Sequence, residues 1–384
     1  MHDVKQLVAE VLKETADMLA AGNPPIQAKV GITLLGSEHG VAEVLAGAET
    51  AQRQLGDVKV VAIGPADVKT QLTLVPADSD EACHAKMDEL LAAGELDAAV
   101  TMHYNFPIGV ATVGLVVTPG RGDKMFIAST TGTAATDRVE AMVRSAVHGI
   151  AAAKAFGITK PTVGILNVDG ARQVERCLTE MQARGYEIYF AASGRSDGGV
   201  IMRGNDLLTG TPQVMVTDSL TGNLLMKLFS AYTTGGSYES LGYGYGPGVG
   251  EGYHKIIHII SRASGAPVIA NAIHYAAVMA KGRLTEVAAK EIAAAGKAGL
   301  KDIAKPQCGQ QQASVKKAPP KKIVSEQIAG IDVLELDQAQ QLLWAGGIYA
   351  ETGMGCTGPI ILVAPEDLAP ARVILQENHI LVAG

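Results

Sequence analysis

The chain has 384 residues, 47% of them hydrophobic and only 4% aromatic, with a net charge of −7 and an isoelectric point near 5.7. That length allows two or more domains, and an Ala/Val/Ile/Leu/Gly-rich composition suits an α/β protein. The acidic balance excludes a sequence-independent pull toward nucleic acid or an anionic membrane, and no apolar run is long and unbroken enough to span a bilayer.

The first nineteen residues alternate charge with apolar spacing and predict an amphipathic helix rather than a signal peptide, hence a cytoplasmic protein. Short apolar runs then alternate with helical patterns: KVGITLL, the helix GVAEVLAGAETAQRQL, VKVVAIG, the helix SDEACHAKMDELLAAG and DAAVTM. A helix is expected over residues 106–117, then KMFIAST, a long helix over 134–157, PTVGILNV, the helix ARQVERCLTEMQARG, YEIYFAAS and PQVMVTD. The helix TGNLLMKLFSAY, the run KIIHIIS and the helix PVIANAIHYAAVMAKG follow. Such alternation predicts largely parallel sheets with helices on both faces. Ligands of such sheets bind outside the carboxyl ends of the strands, here the loops after Leu35, Met102, Ser129, Val168 and Thr217.

Near residue 305 the pattern breaks. KPQCGQQQASVKKAPPKKIVSEQ (305–327) is polar, basic and proline-containing, and it predicts a linker. A compact β-α-β-β-α module follows over 328–384: strand DVLEL, helix DQAQQLLWAGG, strand IYAET, loop GMGCTG, strand PIILVA and a last helix. Residues 1–304 form the core, read as two α/β lobes divided near residue 157.

Four cysteines, at 83, 177, 308 and 356, are scattered with no CxxC pair, so no metal cluster is expected. Cys83 and Cys177 sit in helical patterns and read as small hydrophobes. Cys308 lies in a loop-like stretch. Cys356 differs: Gly353, Gly355 and Gly358 leave its thiol open, and an anion-binding nest of backbone N–H groups there would favour the thiolate. A turn that happens to hold a cysteine fits the same residues.

VMVTDSLTGNLLMKL (214–228) ends a strand in Thr217–Asp218 and opens a helix at Gly222–Asn223. Open N–H groups there favour phosphate, and Asp218 is placed to orient or accept a proton; by pattern alone an N-cap and turn is the stronger reading of these residues. LLGSEHG (34–40), with Gly36 and Ser37, and MHYNFPIG (102–109), with Asn105, repeat the strand–polar loop–helix arrangement. ASTTGTAATDR (128–138) adds hydroxyls. None is a Walker A loop. The glycine- and tyrosine-rich stretch at 241–255 predicts a long covering loop. His39, His103 and His274 are the histidines nearest the candidate cleft, without metal-ligand spacing.

VTDSLTGN resembles the DGFTGN signature of PlsX-type phosphate acyltransferases, DAAVTMHYNFPIGVATVGLV resembles their VSAGNTGA segment with Asn105 at the Asn, and SGAPVIANAIHYAA resembles their late helix. This resemblance covers roughly residues 28–285. It implies the two-domain isocitrate-dehydrogenase-like fold shared with phosphotransacetylases. GYGYGPGVGEGYHK with GMGCTGP resembles instead the smaller (alpha) subunit of component C of the glycine/sarcosine/betaine reductase complex, over the whole chain.

That second resemblance implies a function. Cys356 would carry an acetyl thioester that inorganic phosphate cleaves to acetyl phosphate. It implies as partners the larger (beta) subunit of component C and the selenoprotein component A, a carboxymethyl donor, and it implies no cofactor. Phosphate is expected near Gly36, Ser37, Asn105, Thr217, Gly222 and Asn223, with Cys356 and Asp218 as catalytic groups. Ser219–Leu220 replaces the Gly-Phe of PlsX, which suits a smaller acyl group. Two other functions fit the residues: a free-standing phosphate acyltransferase using acyl-CoA or acyl-carrier protein, and a non-catalytic scaffold subunit.

Overall fold

The computed structural model of the protein describes residues 27–195, 198–303, 318–332, 335–355, 358–378 and 380–381. The expected N-terminal helix, most of the basic segment, Cys308 and Cys356 lie outside the described residues.

Strand β1 (Ala28–Thr33) leads through α1 (Val41–Gln54), β2 (Val58–Gly64), β3 (Thr73–Pro76) and α2 (Asp80–Ala92) to β4 (Ala98–Thr101). The chain then forms β5 (Val110–Val117), β6 (Lys124–Gly132), α3 (Arg138–Ala155), β7 (Thr162–Leu166) and α4 (Ala171–Ala183). Next come β8 (Tyr189–Phe190), β9 (Ile201–Met202), α5 (Gly204–Thr209), β10 (Val214–Val216) and α6 (Ser219–Ala231). It returns through β11 (Gly246–Gly250) and β12 (Ile257–Ile259) to α7 (Ala266–Lys281), α8 (Leu284–Lys297) and α9 (Leu300–Ile303).

These strands make one twelve-stranded sheet, ordered β3-β2-β1-β4-β12-β11-β5-β6-β10-β7-β8, with β9 also on β7. Parallel pairs join β3, β2, β1, β4 and β12 on one side and β6, β10, β7 and β8 on the other. Between them β11 and β5 pair antiparallel to their neighbours, so strand direction reverses at the centre. The chain changes sides between β4 and β5 and again between β11 and β12; residue 157 falls between α3 and β7, within the second side.

The core follows from near-continuous apolar strands, buried on both faces as parallel sheets require. Helix α3 starts at its N-cap Asp137, whose carboxylate accepts from the Glu140 N–H at 2.8 Å. It buries Met142, Val143, Ala146, Val147 and Ile150 between the sheet and α8. Each such large side chain contributes about 1.5–3 kcal/mol. Helix α1 packs its Val44–Ala48–Ala51 stripe against α7 in the same way.

Three expectations are corrected. Residues 106–117 are not a helix: Val110–Val117 is the central strand β5, since an eight-residue run rich in β-branched residues fits a doubly buried strand. The PlsX-like segment is therefore strand–loop–strand. Residues 241–255 are not all loop, because GPGVG forms β11 in the middle of the sheet. Last, the first strand of the terminal module is β13 (Glu326–Ala329), two residues inside the expected linker, while Leu336 of DVLEL already opens helix α10 (Leu336–Ala345). A short alternating run fits either state, and the available partner decides: Ile328 pairs with Ile361 and is buried.

The module continues with β14 (Ala350–Gly355), β15 (Gly358–Val363) and α11 (Leu368–Glu377), giving an antiparallel sheet β13-β15-β14. It has its own core of Ile328, Leu343, Ile361, Val363 and Leu375. Gly355 pairs with Gly358. Arg176 on α4 forms an ion pair with Glu335 and donates to the Ile380 carbonyl at 3.3 Å, which ties the module to the core.

Candidate active site

Helix α6 starts where it does because Asp218 caps it. Asp218 Oδ1 accepts from the Thr221 N–H at 3.0 Å, and Oδ2 accepts from the Thr221 hydroxyl at 2.7 Å. Arg138, at the start of α3, donates to Oδ2 at 3.0 Å. Burial works against the charge of Asp218, but the Thr221 donors and Arg138 outweigh it and hold the carboxyl below the usual aspartate range.

One turn into α6, the side chains of Asn223 and Lys227 face a cleft of about 510 Å³. Their spacing of four puts both on one helix face. The cleft is also lined by His103 and Asn105 from the loop after β4, Thr131 at the end of β6, and Ser261 after β12. It therefore lies at the carboxyl ends of strands from both sides of the sheet, where strand direction reverses. Tyr245, leading into β11, contributes a further wall.

The electrostatics centre on Lys227. Its ammonium donates to Glu239 Oε1 at 2.7 Å and to Ser261 Oγ at 2.8 Å. Glu239 is only 1% exposed and also accepts from Tyr245 (3.2 Å) and Ser264 (2.9 Å). An ammonium has three donors, so one remains for a ligand, and the buried carboxylate fixes where it points. Asn223 is held by its own amide, which donates to the Thr130 carbonyl at 3.2 Å.

Of the residues singled out from sequence, Asn105 and Asn223 meet in this cleft. Asp218 stands at the head of α6 as its N-cap and does not line it. Thr217 is fully buried, its Oγ1 without a hydrogen-bond partner among the described residues. Gly222 packs against β6: a Cβ there would lie 1.8 Å from the Ser129 carbonyl oxygen. Gly36 and Ser37 lie outside the lining, on a loop that Arg262 clasps through the Gly36 carbonyl at 2.9 Å. Cys356 is outside the described residues.

His103 lines the cleft, whereas His39 packs edge-on to Tyr238 and His274 packs against Tyr243. Tyr245 belongs to the 241–255 stretch expected to cover a ligand, and it does line the cleft; Lys227, Ser261 and Glu239 do not stand out from the sequence. The signal for Lys227 was present, in its i+4 spacing from Asn223. Burial pushes the thiols of Cys83 and Cys177 up to about 11, so neither is a thiolate near neutral pH. Among the described residues no three His, Cys, Asp or Glu side chains gather as metal ligands.

A family model described as "Fatty acid synthesis protein" matches residues 28–362. The chain belongs to the fatty acid synthesis protein family. The family match takes in both sides of the large sheet, the cleft and the GMGCTGP segment. Over 99% of its length the chain is 54% identical to the glycine/sarcosine/betaine reductase complex component C subunit alpha of Peptoclostridium acidaminophilum, and it covers 100% of that protein. It is 27% identical to the phosphate acyltransferase of Thermus thermophilus over 52% of this chain and 70% of that one. Among solved structures it is similar to the EutD phosphotransacetylase from Staphylococcus aureus, with 13% identity and a TM-score of 0.42 over 69% of this chain and 97% of that one.

Proposed function

We propose that the chain transfers an acetyl group from a thioester on Cys356 to inorganic phosphate, giving acetyl phosphate within a glycine/sarcosine/betaine reductase system. The observation that carries this reading is the cleft, where a lysine N–H and the amides of Asn105 and Asn223 meet at a strand-direction reversal. The identity to a component C alpha subunit and the family relationship to phosphate acyltransferases support it. The larger (beta) subunit of component C and the selenoprotein component A are partners under the same proposal, and the cytoplasm is its setting.

Phosphate would sit against Lys227 and the two amides. An unprotonated phosphate oxygen attacks the acetyl carbonyl carbon and forms the C–O bond. The C–S bond then breaks, and its electron pair leaves on the Cys356 sulfur as thiolate. Because the attacking oxygen carries no proton, the step needs no general base. The part of Asp218 is to cap α6 and so position Asn223 and Lys227. Donors aimed at phosphate and at the developing oxyanion supply the rate.

Asn223→Ala tests the site. Losing one hydrogen bond to a charged group costs about 1.5–3 kcal/mol, so the phosphate requirement should rise roughly ten- to a hundredfold. Isotope exchange between phosphate and acetyl phosphate reads this directly. An unchanged phosphate dependence would place the anion elsewhere.

A further inference from the structure

A second cavity, of about 320 Å³, shares no lining residue with the cleft. It opens between the loop that follows β8, helix α5, and the turn joining β5 to β6. Arg121, Arg195 and Arg203 line it, together with Asn205, Asp206, Thr209 and Thr211.

One carboxylate, Asp206, stands among these described lining residues, and its acceptor capacity is already taken. Oδ1 accepts from the Gly194 N–H at 2.8 Å and the Thr211 hydroxyl at 3.1 Å. Oδ2 accepts from the Ser193 hydroxyl at 2.7 Å and the Arg203 N–H at 2.9 Å. Asp206 is only 4% exposed and works as an internal knot. It pins the loop after β8 to the start of α5 and so fixes the backbone that carries Arg195 and Arg203. Among the described residues Arg121 and Arg203 enter no ion pair.

Two arginines outside any described ion pair thus line the hollow, and the carboxylate that lines it with them is spent on folding the wall. Guanidiniums match phosphoryl oxygens in pairs, and two of them suit a dianion better than a singly charged carboxylate. The volume sits at the lower end of small-molecule sites, roughly 300–1,000 Å³, and exceeds what a lone phosphate fills. We propose that this cavity binds a phosphate-bearing small molecule. Arg121 and Arg203 take the phosphoryl group, and Asn205 and Thr209 meet the remainder. The site is separate from the proposed acetyl-transfer cleft and does not depend on that reading.

Hydrogen–deuterium exchange and calorimetric titration of the full chain test it, with inorganic phosphate and adenosine monophosphate as probes. Both probes should slow exchange in the segment from Val200 to Thr211, and this protection should persist in Asn223→Ala. Arg121→Ala combined with Arg203→Ala should weaken binding at this site at least about tenfold per guanidinium, while Arg121→Lys should recover part of the loss. Arg121→Ala alone, on an exposed turn, gives the same reading should the double variant fold poorly. Equal affinity for the two probes assigns recognition to the phosphoryl group alone; tighter adenosine monophosphate binding assigns an organic phosphate. Absence of protection in this segment with both probes, or affinity unchanged in Arg121→Ala, overturns the proposal and leaves a solvent-filled hollow.

Discussion

Gly222→Ala is expected to yield little folded protein, although it adds one methyl group to a helix. Helix α6 crosses β6 so closely that the new carbon would lie 1.8 Å from the Ser129 carbonyl oxygen and 2.9 Å from its carbon. Both sides of this contact are backbone, so no rotamer change relieves it. The helix would have to lift off the sheet and would take Met226 and Phe229 out of their buried places. Overpacking typically costs about 1–3 kcal/mol. Here the added loss of buried contacts brings it to about 4–5 kcal/mol, a large part of a typical domain's 5–15 kcal/mol. Gly296→Ala makes the contrast: it lies in α8 with nothing within 4 Å of the new carbon, and helix propensity predicts a gain of about 0.5–1 kcal/mol. Urea unfolding of the two variants should move in opposite directions. A Gly222→Ala midpoint near that of the parent chain would show that α6 does not pack as described.

Acid should destabilise the protein well before its carboxylates titrate. His148 and His258 are buried, 4% and 0% exposed, and each has a ring Nδ1 with no hydrogen-bond partner among the described residues. Burial pushes both imidazoles down to about 3; Arg144 adds to the effect at His148, and the Tyr243 carbonyl opposes it at His258. The unfolded histidine titrates near 6.5. Between these values the unfolded chain binds protons that the folded one refuses, so stability rises with pH across that window. It is fully present above about pH 6.5 and falls as the pH drops toward 3, by about 1.4 kcal/mol per unit for each histidine. At pH 5 the pair should have cost about 4 kcal/mol relative to neutral pH. Asp206 and Asp218, whose lowered pKa values make their contribution present above the ordinary aspartate value, add to the loss only at lower pH. Denaturant titrations at pH 7 and 5 read the slope, and His148→Met should remove about half of it. Stability independent of pH over that range would mean that both rings titrate in the native state.

The parallel flanks of the sheet were legible because their strands are unbroken Val/Ile/Ala runs and their helices carry clear caps, such as Ser79 and Asp137. The centre was not. Strand β11 reads Gly-Pro-Gly-Val-Gly, against every strand preference, yet it is required there: a Cβ at Gly246 would lie 1.7 Å from the Val113 carbonyl oxygen, and one at Gly248 would strike Phe106. Narrow backbone spacing leaves no trace in hydrophobic periodicity. Residues 106–117 misled for a related reason, since a buried apolar run has no polar face by which to tell strand from helix.

The site was half legible. Asn105 and Asn223 stood out as polar residues at strand ends, and they meet. Gly222 stood out beside them, but its glycine is set by the approach of α6 to Ser129. Lys227 and Glu239 lie twelve residues apart and become one unit only when the chain between them turns back, so pattern alone could not pair them.

The most direct test of the proposed acetyl transfer is peptide mapping by mass spectrometry after the chain is incubated with acetyl phosphate. One acetyl group on Cys356 is expected, removable by added inorganic phosphate. Cys83 and Cys177, held as thiols by burial, should remain unmodified. Exchange of phosphate with acetyl phosphate that proceeds while Cys356 stays unacetylated, and that survives Cys356→Ser, would contradict the thioester and point to an acyl-CoA or acyl-carrier-protein donor.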